Sequence, residues 1–122
     1  MALKNSHILL IDDNEDILFM MRAMLKLKGY SVSIEENIGN LETSILNLSP
    51  DIILMDMLLY GEDGRDICRN LKANEAFSRI PIVMISAHPD AKAECLAAGA
   101  DYFLEKPFEM KDLYKSVSMV LA

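Results

Sequence analysis

Five short apolar or β-branched runs, each separated from the next by a stretch of helical periodicity, constrain this chain more than any other feature. Ile8 to Ile11, Val32 to Ile34, Ile52 to Met55 and Ile82 to Ile85 recur along it, and a fifth run, Tyr102 to Leu104, follows. Parallel strands need a long crossover between them, usually a helix, so the alternation predicts βαβ repetition around one parallel sheet. Three of the runs are continuously apolar, as strands covered by helices on both faces must be. Val32 and Ile34 instead alternate with serines, and Tyr102 to Leu104 is brief, so the second and fifth strands are expected at the sheet edges.

The intervening segments carry helix signals. The first helix is expected to start at Asn14 as N-cap, with Glu15 and Asp16 in its positive first turn, Lys26 and Lys28 near its negative end, and a stop at Gly29. Its buried stripe reads Ile17, Met20, Met21, Met24 and Leu25. The second presents Ile38, Leu41, Ile45 and Leu48 before Pro50; the third, after Gly64, presents Ile67, Cys68 and Leu71. The fourth runs from about Pro89 to Ala98 and closes at Gly99, and the fifth presents Met110, Leu113, Val117 and Val120. Right-handed crossovers leave few topologies for a (βα)5 chain. Edge positions for strands two and five select the flavodoxin-like, doubly wound α/β sheet with strand order 2-1-3-4-5, in which ligands bind beyond the carboxyl ends of the strands.

Composition narrows the function classes. The 122 residues suit one domain, 1–122, with no output domain visible after the fifth helix, and 52% hydrophobic with 25% charged residues is the balance of a soluble globular protein. No apolar stretch approaches the roughly 18 residues of a membrane span, and the N-terminal apolar run is too short for a secretion signal, so a cytoplasmic address is expected. A formal charge of −7 argues against direct nucleic-acid binding by this domain. Cys68 and Cys95 belong to no metal-spaced cluster and read as small core residues.

At the predicted carboxyl edge stand Asp12 and Asp13 after strand one, Asp56 after strand three, Ser86 after strand four and Lys106 after strand five. Singly, each has an ordinary reading: an Asp pair caps a helix, and a Ser or a Lys-Pro pair fills a loop. Jointly, each after a different strand, they point to chemistry. Strands one and three are neighbours in this order, so three carboxylates converge and need a compensating cation, for which Mg2+ with its preference for hard oxygen ligands is suited. Attack by a carboxylate on phosphorus needs charge neutralisation around the transferred group, which Mg2+, the Lys106 ammonium and the Ser86 hydroxyl supply. Asp56 is the expected nucleophile because it ends the most buried strand, with a flexible stretch from Leu59 to Gly64 behind it. Asp12 and Asp13 open a helix and are better placed to hold metal.

These segments, LLIDDNED with Asp12 and Asp13, ILMDMLLYGEDG with Asp56, VMISAH with Ser86 and GADYFLEKPF with Lys106 and Pro107, resemble the receiver domain of two-component response regulators over essentially the whole chain. That family has the strand order deduced above, so the two readings are not independent. The resemblance implies that Asp56 is the phosphoacceptor, that Asp13 is a direct and Asp12 a direct or water-mediated Mg2+ ligand, and that the Leu58 backbone carbonyl is another. It further implies a phosphohistidine on a sensor histidine kinase or phosphotransfer protein as donor, a downstream protein or C-terminal output domain as target, and a cis bond between Lys106 and Pro107. Switching is implied to run through Ser86 and Phe103 to the surface of helix four, strand five and helix five. The lifetime of the phosphorylated state is implied to depend on Leu58 and His88.

There are departures: Tyr60 stands where the family commonly has proline, and Phe103 lacks the hydroxyl of the commoner tyrosine. Neither touches the phosphorylation chemistry. Of the only histidines, His7 starts a strand and His88 lies in a loop just past Ser86, and neither is expected to relay phosphate. Two rival functions are a non-phosphorylated interaction module on the same fold, from which an acid or the lysine should be missing, and a phosphatase of the haloacid dehalogenase kind. The second needs an Asp two residues after the nucleophile, where this chain has Leu58.

Overall fold

A computed structural model describes residues 6–121; the N-terminal segment weighed above as a secretion signal lies largely outside them. Five parallel strands form the main sheet: β1 (His7–Ile11), β2 (Ser31–Ile34), β3 (Ile52–Asp56), β4 (Ile82–Ser86) and β5 (Tyr102–Glu105). Their spatial order is β2, β1, β3, β4, β5, the expected 2-1-3-4-5 with the second and fifth strands at the edges. Registers such as Leu10 opposite Leu54 and Asp56 opposite Ile85 bring the strand ends level on the carboxyl side.

Five helices cross over between them: α1 (Glu15–Leu27), α2 (Leu41–Leu48), α3 (Gly64–Ala73), α4 (Lys92–Ala97) and α5 (Met110–Leu121). The start expected for α2 at Ile38 is a 3-10 turn over Ile38–Asn40, and that expected for α4 at Pro89 is another over Pro89–Ala91. The caps follow local chemistry. The Asn14 side chain accepts the Ile17 N–H at 3.1 Å at the head of α1, and Gly29 past its end takes φ 98°, a left-handed value that glycine adopts without a Cβ penalty.

Alternation within the strands divides the core into two layers. Ile8, Leu10, Ile52, Leu54, Val83 and Ile85 face Leu18, Met21 and Leu25 of α1 and Leu113 and Val117 of α5. Leu9, Ile11, Ile53, Met55 and Met84 face the other way, toward Leu41 and Ile45 of α2, Cys68 and Leu71 of α3 and Cys95 of α4. The α1 stripe is thus shifted from its sequence reading: Leu18 is buried, while Ile17, Met20 and Met24 only flank the core. Ile52, Ile53, Leu54 and Met55 are all at most 1% exposed, and each such side chain stabilises the fold by roughly 1.5–3 kcal/mol. The strand that ends in Asp56 is therefore among the most firmly held parts of the molecule.

Among the described residues, no helix is long and apolar enough to cross a membrane.

Candidate functional site

The level strand ends gather the two acids that follow β1 and the one that ends β3. One carboxylate oxygen from each of Asp12, Asp13 and Asp56 lies within 4.8 Å of the others. The Lys106 ammonium enters this group from the end of β5, 2.8 Å from Asp56 Oδ1 and 3.4 Å from Asp12 Oδ2. Its backbone is held there by the Lys106 N–H donating to the Ser86 carbonyl at 2.9 Å, and the Lys106–Pro107 bond is cis, as the resemblance implied. Ser86 is buried, and its hydroxyl oxygen accepts the His88 N–H at 3.0 Å. A depression beside these groups is lined by Asp56, Met57, Leu58, Ser86, His88 and Lys106. The Leu58 side chain there is 54% exposed, and its N–H donates to Asp56 Oδ2 at 3.2 Å.

Burial and like charge are both at work. Asp12 is 2% exposed, and burial together with the nearby Asp56 carboxylate raises its pKa, against the Asn14 N–H bond at 2.9 Å and the Lys106 charge, which lower it. Burial also pulls the Lys106 ammonium down, but its contacts with Asp56 and Asp12 outweigh this and leave its pKa above the ordinary value. One lysine thus pairs with two of the three carboxylates, and the remaining negative charge suits a divalent cation. All-oxygen donors of this kind fit Mg2+. Phe103, at the middle of β5, is half-buried against the layer that contains Met84 and Cys95.

Residues 8–118 match the family model of the response regulator receiver domain. The chain belongs to this family. The receiver is 35% identical over 116 residues to the phosphate regulon transcriptional regulatory protein PhoB of Pseudomonas aeruginosa, across 93% of this chain and 51% of that protein. It spans about half the length of the curated relatives it matches. Among solved structures, the receiver domain of sensor histidine kinase PA1611 from P. aeruginosa, with magnesium ion coordinated in the active site cleft, superposes with a TM-score of 0.84 at 30% identity, covering 96% of this chain and 98% of that one. Chemotaxis response regulator CheY4 of Vibrio cholerae gives 0.87 at 25% identity, covering 96% and 99%. The chain is thus a phosphorelay receiver domain of two-component signal transduction, a family of phosphoacceptor switches.

Three features of this receiver's site escaped the sequence. The stretch read as flexible behind Asp56 is an antiparallel ribbon, Leu58–Leu59 paired with Glu62–Asp63, whose two-residue turn has φ 51° at Tyr60 and 81° at Gly61. Positive φ at both turn residues is the requirement of a type I′ hairpin. Proline, locked near −65°, cannot occupy position 60 in this geometry. The second feature is Gly64 at the start of α3. A Cβ there would lie 2.7 Å from the Asp56 carbonyl oxygen and 2.9 Å from that of Met57, so the helix approaches the end of β3 only because residue 64 has no side chain. The third is Arg65, whose guanidinium joins Asp63 at 2.7 Å and also Glu94, tying the loop after Asp56 to α4. The Asp63 partner of Arg65 is local, whereas its Glu94 partner and the close approach of Gly64 to the end of β3 had no local signal.

Proposed function

We propose that Asp56 accepts a phosphoryl group from a phosphohistidine on a sensor histidine kinase or phosphotransfer protein, and that Asp12, Asp13, Asp56 and the Leu58 carbonyl hold the Mg2+ that assists it. The reading rests on one observation above all: the Lys106 ammonium stands 2.8 Å from Asp56 Oδ1 beside a converged acid triad. In the transfer, the donor's N–P bond breaks, a bond from an Asp56 carboxylate oxygen to phosphorus forms, and the freed imidazole nitrogen takes up a proton. Bound Mg2+ supplies charge neutralisation, both for the carboxylates and for a phosphoryl oxygen. Lys106 moves from Asp56 to a phosphoryl oxygen with little displacement, since it already sits on the attacking group. The Ser86 hydroxyl, whose one hydrogen bond among the described residues is accepted from the His88 N–H, keeps its own proton to donate to another phosphoryl oxygen. The protein promotes its own phosphorylation and dephosphorylation in this sense, by positioning and charge rather than by turnover of a substrate.

Drawing Ser86 toward the phosphoryl group opens space beside β4, into which half-buried Phe103 can turn. That motion alters the surface of α4, β5 and α5, which meets a downstream protein or an output domain C-terminal to this one. Residues 1–122 then act as one receiver unit, and DNA contact, where a longer regulator makes it, is left to another domain.

Incubation with acetyl phosphate and Mg2+ tests the site. The expected product is a phosphoprotein whose label is lost in alkali or hydroxylamine, as an acyl phosphate's is, and which Asp56→Asn fails to form while keeping its circular dichroism spectrum. Full labelling of Asp56→Asn would move the acceptor elsewhere. Sustained phosphate release would favour a phosphatase, and no reaction in the wild type a binding module.

A further inference from the structure

We infer that the Tyr60–Gly61 turn is a positioning element for Asp13, holding that carboxylate ready for Mg2+ through the backbone N–H of Tyr60. The inference rests on the reading of Asp13 as a metal ligand. Its basis is how differently the three carboxylates are held. Asp12 is buried and receives both the Asn14 N–H and Lys106; Asp56 receives Lys106 and the Leu58 N–H. Asp13 is exposed, and among the described residues its one hydrogen bond comes from Tyr60, whose N–H donates to Asp13 Oδ2 at 3.1 Å. Without it, this side chain would be free to rotate into solvent.

The donor is well anchored. Leu59, in the ribbon that carries the turn, is fully buried, and the returning strand ends in Asp63, which caps α3 by accepting the Arg65 N–H at 2.9 Å. The turn is closed by pairing of Leu58 with Asp63 and Leu59 with Glu62. What aims the N–H is therefore the left-handed backbone of residues 60 and 61, not the side chain of Tyr60, a residue 47% exposed. A tyrosine accepts φ 51° at some cost, and glycine would accept it freely. Fixing the orientation of a ligand before the metal arrives removes the entropy loss of ordering it on binding, the same service that outer partners give to ligands in metal sites generally.

The test is Mg2+ affinity by calorimetry on the full 122-residue chain, in variants that separate donor, turn and side chain. Tyr60→Pro, which removes the N–H and cannot take positive φ, should weaken binding roughly tenfold or more. Gly61→Ala keeps the N–H of residue 60, and its Cβ meets nothing within 4 Å, but it disfavours φ 81° and should weaken binding in the same direction. Tyr60→Gly keeps the donor and relaxes the backbone, so it should bind at least as tightly as the wild type. In metal-free protein, amide exchange at Tyr60 should be slowed, and Asp13→Ala should speed it. Affinity in Tyr60→Pro within about twofold of wild type, or an equal loss in Tyr60→Gly, would overturn the inference while leaving the site reading intact. Undiminished binding in Asp13→Ala would remove the site reading itself, and the inference with it.

Discussion

Substituting Gly64 by alanine should destabilise the fold and disturb the site together, because residue 64 touches the backbone of Asp56 itself. Ordinary van der Waals contact begins near 3.4 Å, whereas the new Cβ would lie 2.7 Å from the Asp56 carbonyl oxygen, 2.9 Å from the Met57 carbonyl oxygen and 3.1 Å from Met57 Cα. None of these is the end of a flexible side chain that can swing away. Either α3 or the end of β3 must retreat by about 0.5 Å or more, and overpacking of this kind costs about 1–3 kcal/mol. The retreat also strains the hydrogen bond from the Gly64 N–H to the Met57 carbonyl, worth about 1 kcal/mol. Against this, alanine's better helix propensity returns at most about 1 kcal/mol. The net loss is about 1–3 kcal/mol, which in urea moves the unfolding midpoint down by roughly 1 M at an m-value near 2 kcal/mol/M. Retreat of the Asp56 backbone should also slow acetyl-phosphate labelling of the folded variant by about tenfold or more. An unchanged urea midpoint together with an unchanged labelling rate would refute the close-approach reasoning.

Other outcomes follow from the same geometry. Lys106→Met removes the cation that sits between Asp56 and Asp12, so it should slow phosphorylation yet tighten Mg2+ binding, by about threefold or more, since the metal then meets less positive charge; weaker Mg2+ binding by calorimetry would contradict this. Leu58→Asn should shorten the phosphoryl lifetime by about tenfold, by orienting a hydrolytic water with a polar contact worth about 1.4 kcal/mol. Phosphate decay in Leu58→Asn and His88→Ala at matched Mg2+ and pH checks it, and an unchanged or longer lifetime in Leu58→Asn refutes it. Burial pushes the Cys68 thiol up to about 11, so at all lower pH it is held as the unreactive thiol. Thiol reagents at pH 8 should therefore modify Cys68 only at the rate of unfolding, and rapid labelling of native protein would show the core to be open there.

The order of strands, the two-layered core and the convergence of Asp12, Asp13, Asp56, Ser86 and Lys106 were legible in the sequence. Each is announced locally: apolar runs mark strands, brevity or alternation marks edges, and in a parallel sheet every strand delivers its following residue to one end. What lay beyond it depended on atoms remote along the chain. The α1 stripe reads equally well with or without Leu18 until the sheet to be covered is in place. Tyr60 carries no hairpin signal of the Asn-Gly kind, and only tertiary structure sets the turn that lets its N–H reach Asp13, 47 residues away. The same holds for Arg65 and Glu94, and for Gly64 against the end of β3. Periodicity and residue type determine which elements form and which side chains their ends carry. Backbone conformation and close approach between elements are decided only when the whole chain packs, because the atoms that impose them are neighbours in space and not in sequence.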